Sequence, residues 1–313
     1  MPVVTTVSPA KLNLYLELLG RRPDGFHELE TVMVAVDRCD HVRVTTQDDS
    51  AVRVVARWLP GRAVWQQRLG GCAADMLQIP QDASNLVVRA AERMREVYGL
   101  SGGWQIRLDK SIPAGAGMGG ASSNAASVLR CVARLHDIPL DDRRLWEIGG
   151  ELGSDVPFFL GLPGAPSRAA LATGRGERLQ PVALDAAPVF VVAFPPQSLS
   201  TAAVYAACQV PATPRTSRAL TRAMAAGDTA AMAAGSFNRL AEPARRLSPW
   251  IDRLLGAMRR ADLNGCQLTG SGSACFAAAR SRRHALRSVR HLAAEGFEVS
   301  FIVSPLSLPT PLQ

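Results

Sequence analysis

Leu12, Leu14, Leu16 and Leu18 alternate with Lys11, Asn13, Tyr15 and Glu17, and this period of two predicts a half-buried strand. A turn follows over Gly20–Gly25, and Thr31–Val36 and Val42–Thr45 have the composition of further strands. The pattern is then lost, and residues 57–80 are expected to form an inserted loop or excursion. It returns at Ser84 or Asn85, either of which can cap a helix carrying Leu86, Val87, Ala90, Ala91, Met94 and Val97 on its apolar face, with Gly99 as the stop. Trp104–Leu108 reads as a strand running into a glycine-rich loop, followed by helices from Ser122 to about His136 and over Asp142–Leu152. Glycine and proline accumulate around 161–166, which predicts domains of 1–164 and 165–313. Beyond that boundary, strands are expected at Val189–Phe194, Gln267–Thr269, Cys275–Ala279 and Phe297–Val303. Helices are expected at Ala202–Ala207, Arg218–Ala226, Trp250–Ala261 and Arg282–Glu295. Strands lead and helices intersperse later, the order of an α+β chain in two lobes.

Composition narrows the class. With 47% apolar and 20% charged residues the chain is a globular protein rather than a disordered one. No apolar run approaches the ~18 residues of a membrane span, and the first residues lack a basic segment followed by an apolar core, so neither a membrane partner nor export is expected. The six cysteines are scattered without a Cys-x-x-Cys pair, which argues for a reducing, cytoplasmic setting and against a zinc site or disulfide framework. The formal charge of +8 invites a nucleic-acid partner, yet of the 35 basic residues all but Lys11 and Lys110 are arginines spread along the chain beside acids. They are not interleaved with aromatics, so the charge is read as drawing in anionic small molecules and not nucleic acid.

Chemistry concentrates in a few segments. The first is Lys110-Ser111-Ile112-Pro113-Ala114-Gly115-Ala116-Gly117-Met118-Gly119-Gly120-Ala121-Ser122-Ser123-Asn124, a glycine loop between a strand and a helix. Glycines let backbone approach a ligand closely, and a helix start offers free N–H groups to phosphate. No Gly-Lys-Ser/Thr closes the loop, so it is not a Walker A sequence, and it lacks the strand–helix unit of a dinucleotide fingerprint. The bland alternative is a loop of small residues for close packing. Lys11, on the polar side of the first strand, could steady a phosphate or sit on a solvated face. Asp155, before the apolar run Val156–Phe159, could cap a turn or accept a hydroxyl proton. Thr269-Gly270-Ser271-Gly272-Ser273 is either a tight hairpin or a second loop closing over the first. Phe26-His27 could stack on and hydrogen-bond a base, although a lone His is more often structural.

In this order the segments resemble the galactokinase, homoserine kinase, mevalonate kinase and phosphomevalonate kinase superfamily. Ser8–Leu14 followed by Arg22–Thr31 is similar, within it, to the 4-diphosphocytidyl-2-C-methyl-D-erythritol kinase family, and the similarity extends through Asn85–Ala91, Gly153–Phe159 and Thr269–Ser273. The resemblance implies an N-terminal ribosomal-protein-S5-like domain for ATP and catalysis and a C-terminal ferredoxin-like domain on the substrate side. It implies ATP and Mg2+, and phosphorylation of the 2-hydroxyl of cytidine-diphosphate methylerythritol in the non-mevalonate isoprenoid pathway. By the same resemblance Asp155 would be the general base, Lys11 its partner at the developing alkoxide, and Asn13 a substrate-positioning group. The stretch from Pro113 to Ser123, namely Pro113, Ala114, Gly115, Ala116, Gly117, Met118, Gly119, Gly120, Ala121, Ser122 and Ser123, would wrap the ATP phosphates. His27 would read the cytosine edge while Phe26 and Tyr205 sandwich the ring. Three departures stand out: Phe26 replaces a frequent tyrosine, Ala116 and Ala121 replace frequent glycines and so require φ < 0, and 57–80 is long. Rival readings are a homoserine- or mevalonate-type kinase, a catalytically silent sensor and a nucleic-acid binder. Nothing in the sequence points to an oligomeric state or to particular metal ligands.

Overall fold

The computed structural model describes residues 1–70, 76–161 and 168–306, so the boundary expected around 161–166 falls, but for Gly161, outside them. Strands β1 (Val3–Arg21) and β2 (His27–Gln47) pair antiparallel from Val3↔Thr45 to Arg21↔His27. The two strands expected in 31–45 are therefore one. Residues 41–47 of β2 also pair with β4 (Gly103–Lys110), and β3 (Val52–Trp58) runs parallel to β4 at the edge. On its other half, residues 29–34 of β2 pair with β5 (Ala169–Gly174), which forms a hairpin with β6 (Arg178–Pro181). These two strands follow the expected boundary in sequence and still extend the first sheet.

The segment 57–80, expected as an inserted loop or excursion, carries a short helix that its pattern does not show. It holds α1 (Arg62–Leu69), in which only Trp65 and Leu69 are buried, and a helix of eight residues with two buried positions shows no readable period. Trp58 Nε1 donates to the Leu77 carbonyl at 3.0 Å and Trp65 Nε1 to the Leu59 carbonyl at 2.8 Å, so indole N–H groups fasten the excursion down. α2 (Leu86–Tyr98) starts as predicted, with the Asn85 side chain accepting from the Val87 N–H, and stops at left-handed Gly99. Its Val87, Ala90, Ala91 and Met94 pack with Ala125, Val128, Leu129 and Val132 of α3 (Gly120–Leu135) in one core. Burial of each such large aliphatic contributes about 1.5–3 kcal/mol. α4 (Arg143–Leu152) and the short α5 (Val156–Leu160) complete that layer.

The second sheet has the order β11-β7-β10-β9, formed by β7 (Val189–Ala193), β9 (Asn264–Leu268), β10 (Cys275–Ala279) and β11 (Ser300–Val303), with every neighbour antiparallel. α10 (Pro249–Arg260) lies between β7 and β9 in sequence, and α11 (Arg282–Ala294) between β10 and β11. This β-α-β-β-α-β order is the ferredoxin-like arrangement. The stretch from β7 to α10 carries α6 (Thr201–Ala206), α7 (Arg218–Ala225), α8 (Thr229–Gly235), the two-residue β8 (Phe237–Asn238) and α9 (Ala241–Leu247). β8 adds parallel to β1 and so stitches the lobes together.

That junction explains why β1 is not half-buried over residues 10–18. Every residue from Ala10 to Leu18 is buried. Leu12 and Leu14 pack in a core shared with Phe190, Val192 and Phe276 of the second sheet, and the positions that alternation assigns to solvent are covered as well, the Asn13 N–H donating to Thr269 Oγ1 at 3.0 Å and Lys11 facing Asp155. Glu17, wholly buried, accepts from Arg239 Nε at 2.6 Å and Nη2 at 2.7 Å and from the Arg215 N–H at 3.1 Å. Burial alone would raise its carboxyl, but these donors and the Leu18 N–H hold it below the usual carboxylate value.

Candidate active site

The glycine loop is tied down from beneath. Lys110 ends β4, and its ammonium bonds Asp40 of β2 and, at 2.7 Å, Asn124 Oδ1 of α3. Asp40 also accepts the backbone N–H groups of Ser111 and Ile112, at 2.6 and 2.9 Å. Asn124 Nδ2 donates to Ser8 Oγ at 2.8 Å, and Ser8 donates to Ser123 Oγ at 2.7 Å. Asp40, Ser8 and Ser123 are 0% exposed, so removing one member would strand the others without water. The hydroxyl of Ser123 is thus occupied inward, while Ser122 faces the cavities. Lys110, Asn124, Ser123 and Ser8 lie in the segments singled out in the sequence, whereas Asp40 carries no local motif and is brought there by sheet pairing.

Above it the two glycine loops touch. Ala274 N–H donates to the Ala116 carbonyl at 3.2 Å, and Thr269 Oγ1 to the Gly117 carbonyl at 3.4 Å. Gly117 has φ 73°, and a Cβ there would lie 2.2 Å from the Thr269 carbonyl oxygen, so glycine is required by the other loop's backbone. Ala116 and Ala121 are not among the positive-φ residues, as the sequence required, and the Ala116 and Met118 side chains turn into the core, while the Met118 carbonyl accepts the Lys11 N–H at 3.0 Å.

Two cavities meet at this loop. The larger, about 720 Å³, and the smaller, about 280 Å³, share Gly117, Gly119 and Ser122 in their walls. The smaller is walled by Pro113–Ser122 and by Gln78, Ile79 and Pro80 at the end of the excursion, whose Met76 carbonyl accepts the Ala114 N–H at 3.2 Å. The larger contains Lys11, Asn13, Phe26, His27, Asp155 and Tyr205 together.

Lys11 is 3% exposed and does not sit on a solvated face. Its Nζ lies 3.5 Å from Asp155 Oδ2 and donates to Asn13 Oδ1. Asn13 in turn donates through Nδ2 to Thr31 Oγ1 at 2.8 Å, and Thr31 to the Tyr15 carbonyl at 2.6 Å, which orients the amide oxygen toward the ammonium. Asp155 precedes α5, makes no cap bond to that helix, and its side chain stays 32% exposed on the cavity. A carboxylate beside a buried ammonium, open to a cavity that adjoins a phosphate-type loop, can accept a hydroxyl proton while the ammonium neutralises the oxygen.

At the other end the rings of His27 and Tyr205 lie 5.5 Å apart at 35°. Burial, with Arg21 adding to it, pushes the His27 imidazole below its ordinary value, so it is neutral at physiological pH. Burial first, then Asp155 and Cys208, pushes the Tyr205 phenol up. Phe26 is 53% exposed, with the Arg175 guanidinium carbon 5.0 Å from its ring centroid. Ser271, of the second glycine loop, also lines this cavity, as do Arg21, Arg175 and Thr201, to which the sequence assigned no site role. Arg175 stands between two glycines at a turn, the one local cue that was present.

A two-lobed fold with glycine loops from both lobes, a lysine–aspartate pair and two cavities meeting between them defines a small-molecule kinase. Residues 85–161 match the family described as GHMP kinases N terminal domain, and residues 217–297 that described as GHMP kinases C terminal. The chain is 46% identical over 291 residues to the 4-diphosphocytidyl-2-C-methyl-D-erythritol kinase of Rhodopirellula baltica, covering 90% of this chain and 88% of that one. It is 34% identical to the protein of the same name from Salinibacter ruber, over 90% and 93% of the two chains. A crystal structure of 4-(cytidine 5'-diphospho)-2C-methyl-D-erythritol kinase superposes with a TM-score of 0.75 at 33% identity, covering 97% of this chain and all of that one. Homoserine kinase from Cytophaga hutchinsonii shares the fold at a TM-score of 0.69 and 18% identity, over 100% of this chain and 98% of that one. The chain belongs to the 4-diphosphocytidyl-2-C-methyl-D-erythritol kinase family.

Proposed function

We propose that this enzyme transfers the γ-phosphoryl group of ATP to the 2-hydroxyl of 4-(cytidine 5'-diphospho)-2-C-methyl-D-erythritol, a step of the non-mevalonate isoprenoid pathway. The observation that carries the reading is the meeting of two cavities at Gly117, Gly119 and Ser122, with the Lys11–Asp155 pair on one side of the junction. ATP would occupy the smaller cavity with its phosphates against the backbone of Pro113–Ser123. The alcohol would occupy the larger, its 2-hydroxyl beside Asp155 and Lys11 and its cytosine near His27, Tyr205 and Phe26.

Asp155 takes the hydroxyl proton as the oxygen attacks the γ-phosphorus. The new P–O bond forms as the bond to the β-phosphate oxygen breaks, and ADP leaves with that electron pair. Lys11 stabilises the developing charge, and Asn13 keeps its ammonium in place. Mg2+ fits the donors present, since Ser122 would offer a hydroxyl oxygen at the junction and this ion takes most of its ligands from phosphates and water. When bound it would neutralise phosphate charge. Neutral His27 offers one donor and one acceptor nitrogen, which suits the edge of a base better than an imidazolium does.

The test is ADP release by purified protein with ATP and magnesium, offered the cytidine substrate beside homoserine and mevalonate. Turnover of the cytidine compound alone is expected. Preference for either of the others would overturn the substrate assignment, and no turnover of any would return a silent ligand-binding protein.

A further inference from the structure

We propose that Arg175 and Arg21 form a subsite for the diphosphate of the substrate, with Arg175 the specificity-determining member. This rests on the function proposed above and extends it to residues that the phosphoryl-transfer step does not use.

Arg175 occupies the tip of the β5–β6 hairpin between Gly174 at φ 74° and Gly176 at φ 116°, so the turn is built to present this one side chain. The tip is folded back on itself: the Arg175 N–H donates to Glu177 Oε2 at 2.6 Å, and the Gly176 N–H to the Thr173 carbonyl at 3.1 Å. It rests on the residue before Asp155, where a Cβ on Gly176 would lie 3.5 Å from the Ser154 Cβ. The guanidinium packs over Phe26 and donates through Nη2 to the Gly150 carbonyl at 3.4 Å, leaving further N–H groups for a ligand. Arg21 enters from the end of β1, opposite His27 in the strand register.

The charge balance of the cavity gives the ligand class. Its fully charged wall residues are Lys11, Asp155, Arg21 and Arg175. Lys11 and Asp155 pair with each other. Asp24, the carboxylate whose field Arg175 feels, is paired with Arg22 at 3.1 Å, and among the described residues no ion pair is formed by Arg21 or Arg175. Arg22 is shared with Glu28, so Asp24 offsets part of the Arg175 charge, yet two guanidiniums without a direct ion pair remain in one wall. A diphosphate esterified at both ends carries two negative charges near neutral pH, and planar guanidinium forks match phosphate oxygens better than an ammonium does. Stacking Arg175 on Phe26 also fixes the base end relative to the charge, so the two parts of a nucleoside diphosphate are read by one rigid unit.

The experiment compares binding of CDP and of cytidine by calorimetry, using the whole protein, with KM and kcat for the cytidine diphosphate alcohol measured alongside. Arg175→Met is expected to weaken CDP about tenfold or more, to leave cytidine within about twofold, and to raise KM for the alcohol with kcat and the KM for ATP unchanged. Arg175→Lys should recover part of the loss, and Arg21→Met, away from the hairpin, should show the same CDP-against-cytidine split should the hairpin variants melt early. Equal losses for CDP and cytidine would mean that Arg175 acts only by bracing Phe26, and unchanged CDP binding in both variants would abolish the subsite; either overturns the proposal. If the wild-type protein binds CDP with this arginine dependence yet does not phosphorylate the alcohol, the subsite stands and the proposed reaction falls.

Discussion

Replacing Lys11 and Asp155 singly and together tests the centre of the mechanism. At the observed 3.5 Å, the gross attraction between the two charges is about 5 kcal/mol for an effective dielectric constant near 20. Much of it offsets the desolvation of an ammonium that is 3% exposed, so the net coupling expected from a double-mutant cycle is roughly 1–3 kcal/mol. Asp155→Asn keeps shape and cavity but cannot take the proton, and kcat should fall about 10²–10⁴-fold. Lys11→Met also leaves the Asn13 amide oxygen without its buried partner, so its cost should include a shift in substrate KM as well as in kcat. The double variant should be little slower than the slower single one, because the residues act as a unit. Single-turnover rates at saturating ATP and alcohol, with ADP and phosphorylated product both quantified, separate chemistry from release. Strictly additive losses in log kcat, or a loss below about threefold in Asp155→Asn, would refute the assignment of these two residues as base and partner.

Gly117→Val should lower thermal stability and kcat together, because the added side chain meets the Thr269 carbonyl before it meets any phosphate; weakened ATP binding in a protein of unchanged melting temperature would contradict that. Lys110→Met leaves Asp40 buried without its cation and should destabilise by about 3–5 kcal/mol, read by denaturant melts, whereas a stability unchanged within error would show the network to be dispensable. Tyr205→Ala should weaken the cytidine substrate by about 1–3 kcal/mol and Tyr205→Phe hardly at all, and His27→Ala should erode the preference for cytidine over uridine with ATP binding kept. The folded-state value of His27 is depressed, so between that value and the unfolded one the unfolded chain binds more protons and stability falls as pH falls; below the folded value the neutral reading form is also lost. The His27→Gln variant should flatten both acid limbs, measured by melts and by kcat/KM between pH 5 and 7.

Local pattern was enough wherever an element is long and one face decides it. A cap at Ser84 or Asn85, the face of α2, the extent of α4 and β10 all follow from periodicity and end signals, as does the glycine loop opening α3. Pattern failed where burial came from elsewhere. β1 alternates like a strand facing water on one side, yet the second lobe covers it, so Lys11, Asn13 and Glu17 become interior groups with specific partners. α8 and α9 are seven residues each, too short to show a period, and they are held by tertiary packing rather than propensity.

What the sequence by itself determined is the inventory of chemistry: two glycine loops, a lysine and an aspartate in a chain with two lysines, and Phe26-His27 beside a distant tyrosine, in an order that resembles one kinase family. Those features are local or ordered along the chain, so they survive without knowledge of contacts. Only the tertiary structure decided that Lys11 sits 3.5 Å from a residue 144 positions away, that Asp40 anchors the loop, and that Gly117 is required by the backbone of the opposing loop. It alone brought Arg21 and Arg175 into the same wall. Each of these is a meeting of strands or lobes far apart in sequence, where pairing register and covered surface, and not the residue's own neighbours, set its environment.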